Sequence, residues 1–182
     1  VADTKQELYA TTFIHRQHDQ IRELFDAVLQ AAPDERAEAF QPLVRLLAVH
    51  ETAEEMVVYP MAMGGEAGRE IVEQRKAEED QAKKALVDLE KMDPATQEFL
   101  TALTAFQQTV LEHAAAEESE VFPLLTEVAD TDELKDMTKR LEMAEAMAPT
   151  HPHKAAPESA LGNVLTGPFI GMVDRVRDAL SR

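Results

Sequence analysis

The segment HETAEEMVVYP at His50–Pro60 recurs in altered form as HAAAEESEVFP at His113–Pro123. Each copy opens His-x-x-x-Glu-Glu and then carries a valine, an aromatic and a proline at matching offsets. On a helix, residues i and i+4 share one face, a turn apart. His50 with Glu54, and His113 with Glu117, therefore each form an imidazole–carboxylate pair. Such groups are seldom buried without partners. The plain alternative is a pair of exposed ion pairs, but the repetition and the apolar residues beside each pair favour burial around one metal ion or two.

The repeat extends upstream. HDQIRELFDAV at His18–Val28 aligns with EDQAKKALVDL at Glu79–Leu89, and His18 precedes His50 by 32 residues while Glu79 precedes His113 by 34. The chain reads as two helical hairpins, each with a ligand candidate on its first helix and His-x-x-x-Glu on its second. Packed together, they give an antiparallel four-helix bundle with an approximate twofold relation. A site on that axis would receive His18, His50, Glu54, Glu79, His113 and Glu117. Glu54 and Glu117, nearest the axis, can each lend an oxygen to both of two metals, leaving the other four as terminal ligands. Imidazole with carboxylate suits iron, manganese or zinc.

Composition agrees with an all-α class. Good helix formers dominate the 182 residues, and aromatic residues make up only 5%. A formal net charge of −17 argues against nucleic acid and anionic membrane surfaces as partners. With no cysteine, disulfides, thiolate zinc sites and iron–sulfur clusters are excluded. No signal-peptide pattern or long apolar span is visible, so the cytoplasm is the expected location.

Periodicity and breakers predict helices over about Thr4–Ala32, Glu35–Met61, Arg69–Lys91, Ala95–Leu125 and Thr131–Ala146. Asp34 is the expected cap of the second, with a break or kink at Pro42. Met92-Asp93-Pro94 is read as a stop, a cap and a first-turn proline. Residues 4–128 would form the bundle. Residues 129–182 would add the fifth helix, a proline-rich arm over Ala148–Pro168, and a short helix, Pro168–Leu180, docked by its apolar face.

In these residues the chain resembles the hemerythrin-like HHE proteins, over about Phe13 to Leu125. The likeness rests on His18 in QHDQIRELF, on HETAEEMVVYP, on the position of Glu79 and on HAAAEESEVFPLL. It implies a non-haem diiron site, two iron ions with an oxo or hydroxo bridge, in a four-helix bundle. The family usually has histidine where this chain has Glu79, and the run Glu78-Glu79-Asp80 leaves the register open by a residue. A carboxylate there is harder than imidazole and favours ferric iron. That points away from reversible oxygen carriage and towards binding and turnover of small oxidants: hydrogen peroxide, dioxygen or nitric oxide, with catalase-like disproportionation as one form. The alternative is an iron-sensing or iron-storage module without turnover.

Other residues are given plainer readings. Val57, Leu24 and Phe25 would shape a dry pocket. Tyr59, five residues past Glu54, falls off the ligand face and reads as core packing. Glu51 and His15 read as solvated, and His151 and His153 as incidental residues of the arm. HETAE at His50 is not the HExxH zinc-protease signature, because Glu54 stands where that motif has its second histidine. Nor does the chain show the Glu-x-x-His order of ferritin-like sites.

Overall fold

The computed structural model of the protein describes residues 9–64 and 66–146, together with Arg177 and Leu180. Every regular element among them is helical. Helix α1 (Ala10–Gln30) buries Phe13, Ile14, Gln17, His18, Ile21, Phe25 and Val28, a stripe at three- and four-residue spacing. Helix α2 (Arg36–Ala53) runs into a π turn (Glu54–Val58) and then α3 (Tyr59–Ala62). Helix α4 spans Glu66–Leu89. Helix α5 (Gln97–Ala116) likewise runs into a π turn (Glu117–Val121) and then α6 (Phe122–Val128). The α1/α2 and α4/α5 hairpins pack together as an antiparallel four-helix bundle. Helix α7 (Thr131–Ala146) lies against α1 and α2, and its Leu134, Met137, Leu141 and Ala144 join the same apolar core.

The local chemistry explains where the helices start. Asp130 Oδ1 accepts from the N–H groups of Asp132 and Glu133 at 2.9 Å, and Glu133 Oε2 accepts in turn from the Asp130 N–H at 2.8 Å, a reciprocal cap that opens α7. Two expected caps are displaced. Asp93 instead closes a turn by accepting from Ala95 N–H at 2.9 Å, and Thr96 caps α5 by accepting from Phe99 N–H at 3.2 Å. Glu35, not Asp34, precedes α2, and its side chain makes no capping bond. Nor does Pro42 break α2. Burial of Phe40, Leu43 and Val44 beside it holds the turn helical against the loss of one backbone hydrogen bond.

The larger departure from a plain helix is the pair of π turns. A proline ring in an α-helix clashes with the carbonyl four residues back. At Pro60 and Pro123 the chain relieves this by widening the preceding turn. Tyr59 N–H bonds Glu54 O, and Phe122 N–H bonds Glu117 O, each five residues back. Both widened turns begin on the motif carboxylates. Aromatic packing closes the bundle on one side of this level, with Phe25 against Phe106 at 5.7 Å and Phe40 edge-on to Phe99 at 5.2 Å. Full burial of each such side chain contributes about 1.5–3 kcal/mol.

No helix among the described residues is long and apolar enough to cross a membrane. The expected arm lies outside the described residues. Of the expected last helix only two residues are described: Arg177, which pairs with Glu55 at 3.2 Å, and Leu180, which packs on the core.

Candidate metal centre

The structure brings all six predicted side chains to one level of the bundle, in two overlapping groups. Ligand atoms of His18, His50, Glu54 and Glu117 lie within 4.8 Å of one another, and so do those of Glu54, Glu79, His113 and Glu117. The two groups share Glu54 and Glu117. His18 comes from α1, His50 from the end of α2, Glu79 from α4 and His113 from the end of α5, while the shared carboxylates open the π turns. Of the three consecutive acids, Glu79 joins the cluster at 1% exposure. Asp80 faces solvent, and Glu78 lies behind His113.

Each imidazole turns Nε2 inward. His18 Nε2 is 3.3 Å from Glu117, His50 Nε2 is 3.3 Å from Glu54, and His113 Nε2 is 3.5 Å from Glu117. Each Nδ1 is held from outside: His18 by Glu118 at 2.8 Å, His50 by Gln17 at 3.1 Å, His113 by Glu78 at 3.0 Å. Arginines anchor two of these holders, Arg22 on Glu118 and Arg75 on Glu78. Such outer partners fix the ring orientation and tautomer of a metal-binding histidine.

The second glutamate of each motif has a matching role. Glu118 pairs with Arg22, four residues beyond His18, and Glu55 pairs with Lys83, four residues beyond Glu79. Lys83 also reaches Glu79 at 3.4 Å. The repeated Glu-Glu thus supplies an inward carboxylate and a neighbour that ties it to the facing helix.

Tyr59 departs from its expected role. Five residues of α-helix would rotate it about 140° from Glu54, but the π turn brings it back to the cluster. Buried at 1% exposure, its hydroxyl donates to Glu117 Oε1 at 2.6 Å and also contacts Glu79 Oε1. Glu51 is buried rather than solvated, with Oε2 unpartnered. His15 is exposed and pairs with Asp19.

Protonation follows the packing. Burial, together with the charges of Glu117 and Glu79, pushes Glu54 well above the usual carboxylate range. Burial and the Glu51 charge do the same to Glu79. Burial likewise pushes Glu51 up to about 8. Burial, helped by the neighbouring His18, pushes His50 down to about 3. Burial opposes charge on His113 and Glu117 too, but their mutual contact outweighs it. With Glu78 assisting, His113 rises to about 9, and with His18 assisting, Glu117 falls well below the usual range.

The donor set fits a metal ion. Nε2 of His18 and of His113, both oxygens of Glu54 and Oε2 of Glu117 are buried without a hydrogen-bond partner. Each orphan costs about 1–3 kcal/mol, and all point into the two groups. Three imidazoles and three carboxylates are the mixture that iron, manganese and zinc take. Beside them lies a cavity of about 20 Å³, room for about one water-sized molecule. Its apolar walls are Ile21, Leu47, Ala82, Val110 and Ala114. The expected wall residues do not line it: Phe25 packs at a tilt on Phe106 in the adjacent aromatic layer, and Leu24 and Val57 belong to the core without reaching the cavity.

Comparison with known proteins agrees with this geometry. The sequence profile of the hemerythrin HHE cation-binding domain matches residues 9–125. A Schizosaccharomyces pombe protein described as an uncharacterized hemerythrin-like protein is 27% identical over 172 residues, 93% of this chain and 85% of that protein. The crystal structure of a hemerythrin HHE cation-binding domain-containing protein from Mycobacterium kansasii superposes with a TM-score of 0.66 at 23% identity. That match covers 76% of this chain and 88% of the other, and shows a shared fold.

Proposed function

The chain belongs to the hemerythrin HHE cation-binding family, and on that premise we propose that it is a non-haem diiron protein that binds and turns over small oxidants, hydrogen peroxide foremost. His18 and His50 would hold one iron and Glu79 and His113 the other, with Glu54 and Glu117 spanning both. The observation that carries this reading is the overlap of two ligand groups in two shared carboxylates. Bound iron supplies the change of oxidation state. Two molecules of peroxide give one of dioxygen and two of water, so no outside reductant is needed.

The chain's own residues set the conditions. Glu118, Gln17 and Glu78 hold the three rings with Nε2 inward. The cavity beside them, with room for about one water-sized molecule, suits ligands of a few atoms such as peroxide, dioxygen or nitric oxide over larger substrates. A mineral store would need far more room than this cavity offers.

The test is oxygen evolution from peroxide by iron-loaded protein, beside circular dichroism before and after chelation. Oxygen evolution above a free-iron control, with helix content unchanged on chelation, is expected. No evolution above that control would overturn turnover, and large helix loss on chelation would favour sensing.

A further inference from the structure

The two hairpins are alike at their ligands but not beside them. Aligning His18 with Glu79 places Ile21 and Leu24 opposite Ala82 and Ala85, and aligning His50 with His113 places Leu46 opposite Thr109. At three positions the second hairpin is small where the first is bulky. A groove of about 450 Å³ lies between α4 and α5, floored by Phe106 and Leu89 and flanked by Ala85, Ala102 and Ala105, whereas α7 packs on α1 and α2. Ala82 and Thr109 line this groove and also the cavity at the metal cluster.

Exposure follows the same asymmetry. The side chain of His113, on this side, is 13% exposed, against 0% for His18 and 5% for His50. On the opposite side Phe122 lies parallel to the His18 ring at 6.2 Å. The surface depression there, bordered by Thr11, His15 and Asp19, is lined by none of the six ligand candidates.

We infer that small neutral molecules reach the metal cluster through the groove between α4 and α5, and that Ala82 and Thr109 form its inner gate. The substrate class follows from the route. The lining is largely apolar, which suits uncharged dioxygen, nitric oxide or peroxide over anions, and the narrowing from groove to cavity limits what passes. A branched side chain at either gate position restores the bulk that the first hairpin carries. This assignment rests on the metal-centre reading for what lies at the inner end, but the opening itself is a property of the chain.

The test gives the gate the first hairpin's residues: Thr109→Leu at an exposed position, and Ala82→Ile as a second variant. Nitric oxide binding to the reduced, iron-loaded protein is followed by stopped-flow absorbance. The association rate should fall by about tenfold or more with iron per chain unchanged, while Thr11→Leu in the opposite depression leaves it unaltered. Wild-type rates in an iron-replete Thr109→Leu protein would overturn the route. A second readout does not depend on iron: relaxation of methyl protons by dissolved dioxygen in protein exposed to zinc. The Val110 and Ala114 methyls should be relaxed more than those of Val121 and Leu125, and Thr109→Leu should abolish the difference. No difference in the wild type would also overturn the route. A chain that takes up no metal would instead overturn the metal-centre reading, with the dioxygen measurement still deciding the route.

Discussion

Filling the site with metal should expel about three protons per chain at pH 7. Glu54 and Glu79 are held in their acid forms, because burial and neighbouring carboxylates push both well up. His113 is a cation, since Glu117 and Glu78 outweigh burial and raise it to about 9. Of the other ligands, His50 is already neutral and Glu117 already ionised. A metal takes carboxylate and neutral imidazole only, so Glu54, Glu79 and His113 each give up one proton. Each is worth about 1.4 kcal/mol per pH unit, so filling the pair should gain about 4 kcal/mol for each unit of rising pH. The sign is fixed: affinity falls as pH drops below 7, and the slope flattens above about 9 once His113 has lost its proton. Anaerobic calorimetric titration with ferrous iron, repeated in buffers of different ionisation enthalpy, reads the proton count directly. A count near zero would mean instead that the buried acids are ionised before any metal arrives.

Tyr59→Phe removes the donor to Glu117 without opening a cavity. The metal-free protein should lose about 1–3 kcal/mol in urea unfolding, and the loss should shrink when metal is bound. An unchanged midpoint would show that the phenol's contacts contribute nothing. Gly68→Ala should be more damaging than Gly64→Ala. A Cβ at Gly68 would lie 2.0 Å from the Ala62 carbonyl oxygen, whereas one at Gly64 meets nothing closer than 3.4 Å. The first should cost about 1–3 kcal/mol and the second about 0.5 kcal/mol or less, compared by thermal melting.

The bundle and the cluster were largely legible in the sequence because spacing alone carries them. His-x-x-x-Glu fixes an i,i+4 pair on one helix face, and its repetition fixes a second pair facing the first. What spacing could not carry was the change of helical period. Tyr59 reads as off-face only if the helix stays at 3.6 residues per turn, and Pro60 is what prevents that. The signal was present, since both copies place a proline after the aromatic. As an end marker it suggests only a stop, but a helix held by tertiary packing widens instead. Glu51 departs from its expected exposure for a related reason. Beside His50 it looks solvated, yet it is buried and lines the cluster's cavity with Glu78, Glu79 and Ala82 of α4, within reach of the Lys83 charge. The displaced cap at Thr96 shows the usual competition near a proline, with Asp93 drawn into a turn before α5 begins.

The proposed centre holds two metal ions between six side chains, with Glu54 and Glu117 common to both. Elemental analysis of the purified full chain after anaerobic iron loading and removal of excess metal tests it most directly, with Glu54→Gln measured alongside. A pair of ions sharing two carboxylates predicts two irons per chain in the wild type and a clear loss in the variant. One iron or none in the wild type, or a variant that keeps both, would contradict it.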